Sequence, residues 1–115
     1  MNAQEIVTQL TDLTIELKTT VSDLAMFDEV AVRAEHEERQ AYARAFMTTN
    51  GSMEIRRQQS IIDTSDLSLE RELADMRVRA AKARIKYLEV AFDAIRSISA
   101  ARRAEFASES TGQYT

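Results

Sequence analysis

The chain has one histidine, and it stands among carboxylates, in Glu35-His36-Glu37-Glu38. Imidazole and carboxylate together can ligate a metal or move protons. Helix bundles that hold carboxylate-bridged metals, however, draw on paired Glu-x-x-His motifs that face inward. A single histidine cannot supply the pair, and His36 falls on the outer face of its helix. The cluster therefore reads as a solvated surface, and no metal is expected. There is no cysteine, and no serine, threonine or lysine has a visible base beside it. A Gly-rich phosphate loop and an inward pair of carboxylates are both missing from the pattern. The expectation is a protein that is not an enzyme and uses no cofactor.

The basic residues are the other candidates for chemistry. Residues 77–86 contain five bases and no acid. Arg79, Lys82 and Lys86 share one exposed helix face, and Arg96, Arg102 and Arg103 gather further on. These six could contact phosphates. Arg77 and Arg84 point between apolar stripes, where pairing with an acidic helix is the simpler role. Tyr42 and Phe46 do not interleave with bases, so no stacking platform for nucleotides is indicated. Charge is uneven along the chain: residues 1–50 hold nine acids and four bases, residues 51–115 ten acids and eleven bases. Two halves of opposite bias suit helices lying side by side.

Long helices must carry these groups. There is no proline and there are only two glycines in 115 residues, against 44% hydrophobic and 30% charged residues. A β-rich chain of this length would need more turn formers. From Ala3 the apolar positions recur at heptad spacing: Ile6, Leu10, Leu13, Leu17, Thr20, Leu24, Phe27, Ala31, Ala34, Glu38, Ala41, Ala45 and Thr48. This is a coiled-coil pattern. It is Leu- and Ile-rich at first and Ala-rich after Ala31, so the later half should pack closer. Glu38 interrupts the seam and would need a partner if buried.

The spacing predicts a helix over 3–48, a turn at 49–52 in which Asn50-Gly51 closes the helix, and Ser52 as the next N-cap. A helix over 53–62 follows. Asp63-Thr64-Ser65-Asp66 favours caps over helix interiors, which predicts a kink or break at 63–66, with Ser65 or Asp66 capping a last helix over 66–107. Residues 1–107 would form one hairpin domain, and 108–115 a flexible tail. A short link of this kind makes the two long helices antiparallel.

The last helix carries two apolar stripes. One runs through Leu69, Leu73, Met76, Ala80, Ala83, Tyr87, Val90, Ala94 and Ala101, and the other through Val78, Ala81, Ile85, Leu88, Phe92 and Ile95. Their centres lie about 120° apart on a helical wheel. A lone hairpin needs one stripe. The bulkier second one, Val78 to Ile95, is therefore expected at an oligomer interface, most simply in a dimer that forms a four-helix bundle.

Two local patterns resemble a family: Tyr42-Ala43-Arg44-Ala45-Phe46 leading to Gly51-Ser52 and Glu54-Ile55-Arg56-Arg57, and Ala94-Ile95-Arg96-Ser97-Ile98-Ser99-Ala100-Ala101-Arg102. Over about residues 30–105 the chain is similar to small helical proteins of tailed bacteriophages and prophages, especially actinobacterial ones. Their genes often sit among replication and recombination functions. The resemblance implies that setting and no active site to carry over; the leading expectation is a non-enzymatic accessory protein that works by binding another protein, in DNA recombination or replication. Direct nucleic-acid binding, a scaffold role in virion assembly and inhibition of a host enzyme are the alternatives. No apolar run approaches the roughly 20 residues of a membrane span. Met1 to Glu5 has neither a basic leader nor an apolar run. The expected location is the cytoplasm, that of the host if the gene is a phage's.

Overall fold

A computed structural model describes residues 1–112. They form α1 (Ala3–Thr48), α2 (Met53–Asp63) and α3 (Ser65–Gly112), with no strand among the described residues. This is the all-α hairpin that the heptad spacing predicts. The 3.5-residue repeat of α1 holds along its length: Ile6 is buried, and each repeat position from Leu10 to Ala45 is half-buried.

Local chemistry sets the ends of the helices. Asn2 and Glu5 bond reciprocally at the start of α1. The Glu5 amide donates to Asn2 Oδ1 at 2.8 Å, and Asn2 Nδ2 donates to Glu5 Oε1 at 3.0 Å, which satisfies a free first-turn donor. At the other end, the Thr49 amide and hydroxyl both donate to the Ala45 carbonyl. Gly51 then takes φ 122°, a backbone conformation closed to most side chains. Ser52 caps α2 by accepting from the Ile55 amide at 3.3 Å.

The joint between α2 and α3 is a single residue, Thr64. Its amide donates to the Ser60 carbonyl at 3.1 Å, and its own carbonyl accepts from the Ser68 amide at 2.9 Å. The i to i−4 ladder is therefore kept on either side of Thr64. Ser65 and Asp66, expected to cap the last helix, instead lie inside its first turn. That helix also continues past 107, to Gly112. Of the expected tail, 108–112 is helical, and 113–115 falls outside the described residues.

The chain divides into two compact units: Ser22–Lys82, and Met1–Val21 with the chain from Ala83 on. In the Ser22–Lys82 unit the buried residues are small: Ser60, Thr64, Ala74 and Ala81. They match the Ala-rich half of α1, where short side chains permit close approach. Both buried hydroxyls are satisfied by the carbonyl four residues earlier, Ser60 Oγ by Arg56 and Thr64 Oγ1 by Ser60. The unit holding the chain ends is built from larger residues. Ile6 and Leu88 are buried, and Leu10, Leu13, Leu17, Ile85, Phe92 and Ile95 are half-buried.

One expectation is overturned here. Val78, Ala81, Ile85, Leu88, Phe92 and Ile95, expected to face another molecule, are residues of α3 that the hairpin itself buries wholly or in part. Leu88 is only 1% exposed. The stripe of Leu69, Leu73, Met76, Ala80, Ala83, Tyr87, Val90, Ala94 and Ala101 is the exposed one. The physical reason is area. A hairpin has one inner face on each helix, and burying the bulkier set removes more apolar surface from water, at about 25 cal/mol per Å².

Candidate interaction surfaces

Ion pairs fix the helices against each other and use up part of the charge. Glu38, the acid in the α1 seam, accepts from Arg71 Nε of α3, and Arg71 also reaches Asp75 at 3.3 Å. The bond to Glu38, and then that carboxylate's charge, raise the Arg71 pKa above the ordinary arginine value. Asp75 thus pairs with Arg71, which is half-buried where α3 meets α1. In the other unit, Arg84 donates to Glu16, as its place between the stripes suggests, and that bond raises its pKa as well. The Arg84 guanidinium also lies 5.1 Å from the centre of the Tyr87 ring. Arg77 borders a shallow groove with Glu37 and Glu70.

The six candidate phosphate contacts are divided between the two units, Arg79 and Lys82 in one and Lys86, Arg96, Arg102 and Arg103 in the other. Lys82 and Lys86 are exposed. Arg79 is exposed too, but it lines a groove with Asp28, Glu35 and Asp75, so acids surround it. Arg96 and Arg103 line a groove with Asp93, Ser97 and Ser99. Arg102 donates to the Met1 carbonyl and so ties the helix to the chain start. A phosphate backbone would meet carboxylates beside three of these six, Arg79, Arg96 and Arg103.

His36 is exposed on α1, and its neighbour Glu35 pairs with Arg39 at 2.7 Å. Among the described residues no three histidines, aspartates or glutamates converge as metal ligands.

At the turn, the Arg56 guanidinium lies 4.3 Å from the Phe46 ring centre, and Arg56 Nε donates to the Phe46 carbonyl at 2.9 Å. Tyr42 stacks on the same ring, with centroids 6.4 Å apart. This stack joins the aromatic and basic residues of the first resemblance motif and fastens α2 to α1, which is a structural task.

The outer face of α3 remains. Leu69, Leu73 and Met76 in one unit, and Tyr87 and Val90 in the other, are exposed. Tyr87 is 60% exposed and Val90 63%. Between and beyond them the same 3/4 spacing places Ala80, Ala83, Ala94 and Ala101, all exposed. The periodicity made this stripe visible in the sequence, but the choice of the face turned to α1 was not. No helix is long and apolar enough to cross a membrane among the described residues. No protein-family model, curated protein or solved structure matches the chain.

Proposed function

We propose that this chain is a non-enzymatic accessory protein that works by protein–protein binding through the outer face of α3. The observation that carries the reading is the exposed heptad stripe from Leu69 to Ala101. Isolated apolar residues on a surface are ordinary, whereas a contiguous row marks a contact surface. Burying a side chain such as Leu73 or Val90 gains about 1.5–3 kcal/mol, so the row represents several kcal/mol available to a partner. Binding is favoured over catalysis because the charged groups pair across the hairpin, as at Glu38–Arg71 and Glu16–Arg84, and the histidine stands in solvent.

The resemblance to tailed-phage and prophage helical proteins supplies the setting: the bacterial cytoplasm and a partner in DNA recombination or replication. The test is affinity capture from infected or prophage-induced cells with the intact chain and with a Leu73→Glu/Val90→Glu variant. The intact chain is expected to retain a specific protein and the variant to lose it. Equal retention by both would reject the α3 face as the contact surface. Direct nucleic-acid binding would show as a band shift that weakens steeply between about 50 and 200 mM salt. That result, with Leu73 and Val90 dispensable, would replace this proposal.

A further inference from the structure

The heptad register of the exposed stripe fits one partner in detail. We infer that a second copy of this chain docks antiparallel on it, α3 against α3, with Ala83 of each copy on Tyr87 of the partner subunit. This inference rests on the binding role proposed for that face.

Side-chain size selects the register. The stripe is split between large residues and small ones: Leu69, Leu73, Met76, Tyr87 and Val90 against Ala80, Ala83, Ala94, Ser97 and Ala101. All ten are exposed. In the stated register Leu69 faces the partner's Ala101, Leu73 the partner's Ser97 and Met76 the partner's Ala94. Ala80 faces the partner's Val90, and Ala83 the partner's Tyr87. Each large side chain meets a small one, which is how facing layers interdigitate without voids or overlap. The spacing of 3 and 4 keeps this match through the layers from Leu69 to Ala101 on the single helix α3. Sliding the copies by one heptad in one direction sets Leu73 on the partner's Val90 and Met76 on the partner's Tyr87, large on large, with Ala80 on the partner's Ala83, small on small. Sliding in the other direction sets Tyr87 on the partner's Val90 and Ala83 on the partner's Ala94.

Charge selects the same register. Residues beside the stripe meet across an antiparallel pair, and in this register Arg79 meets the partner's Asp93, twice by symmetry. Both are exposed in the single chain. Arg77 and Glu72 fall opposite alanines of the partner and are not opposed by like charge. Lys86 and Arg84 each meet their own counterpart on the partner near the symmetry axis; Arg84 is held by Glu16 of its own chain, and solvent at the rim keeps both repulsions small. A closed two-fold contact of this kind uses the same face on both copies and leaves no copy of the stripe exposed.

The chain has no cysteine, so single cysteines report the register directly. Lys86→Cys is expected to give a covalent dimer on mild oxidation. Arg79→Cys and Ala94→Cys are expected to stay reduced, because their own counterparts lie about 21 Å or more away at 1.5 Å per residue. A parallel pairing reverses the result at Ala94, and a pairing slipped by one heptad sets Lys86 on the partner's Arg79 or the partner's Asp93 and leaves Lys86→Cys reduced. Either outcome overturns the register. Sedimentation equilibrium at micromolar concentration supplies the state: a dimer for the intact chain and a monomer for Tyr87→Glu, whose helical circular dichroism verifies folding. A monomeric intact chain overturns self-pairing. If that monomer still captures a foreign protein through Leu73 and Val90, the binding role survives with a different partner. If it captures nothing, both fall.

Discussion

Arg71 of α3 answers Glu38 of α1, the one acid in the inner seam, and does so while also holding Asp75. Neither side chain of the main pair is far from solvent: they are 29% and 23% exposed. Glu38→Ala and Arg71→Ala should each lower the melting temperature, and the double variant should cost less than the two losses added. A thermodynamic cycle by thermal melts measures that coupling. The raised Arg71 pKa sets the sign of the pH effect. Its stabilisation is fully present below the unfolded arginine value and is lost only as pH rises through the higher folded value. The guanidinium itself should therefore contribute no change in melting temperature between about pH 7 and about pH 10.

Leu88 is the large side chain that the hairpin encloses completely. Leu88→Ala should destabilise by about 2–4 kcal/mol through lost transfer energy and the cavity left behind. Met47→Ala, at a residue 79% exposed beside the turn, should change stability by less than about 0.5 kcal/mol. Urea titrations of both variants make the comparison.

The contrast between Leu88 and Val90 also marks how far the sequence could be read. The heptad of α1 was fully legible, because one repeat on one helix allows one inner face. So were the turn at Gly51, where the backbone demands a glycine, and the helix boundary at Thr64, where the run of Asp, Thr and Ser favours an end. The sequence of α3 shows two apolar stripes of the same period, and periodicity alone does not rank them. The ranking came from side-chain bulk: Ile85, Leu88, Phe92 and Ile95 bury more area than alanines do. Arg84 could be matched to the acidic helix from its place between the stripes. Arg71 could not, since Asp75 and Glu72 offer it equally near partners in sequence.

Gly51 holds φ 122°, and a Cβ built there would approach Ile55 Cγ2 to 3.1 Å. Gly51→Ala should cost about 1–3 kcal/mol, chiefly from the backbone conformation. Adding Ile55→Ala relieves the contact and not the dihedral, so most of the loss should persist in the double variant. Calorimetry of the two variants separates the causes.

Ser60 is fully enclosed, with its hydroxyl on the Arg56 carbonyl. That carbonyl belongs to the helix ladder and does not depend on the hydroxyl, so Ser60→Ala should be nearly neutral. Ser60→Leu, which must force α1 and α2 apart, should destabilise by about 1–3 kcal/mol. Chemical denaturation midpoints distinguish the two.

The turn at Gly51 also decides the order in which the chain can assemble. Contacts across the hairpin join residues 10, 33, 68 and 101 apart: Phe46 to Arg56, Glu38 to Arg71, Glu16 to Arg84 and Met1 to Arg102. Closing the longest loop outright costs about 2 kcal/mol more in chain entropy than closing the shortest. Once the Phe46–Arg56 contact is made, each later one encloses only the increment beyond its predecessor. Folding should therefore zip outward from the turn, and unfolding should begin where Met1 meets Arg102. Amide hydrogens of Val7 and Ile98 should exchange well before those of Ala45 and Ser60.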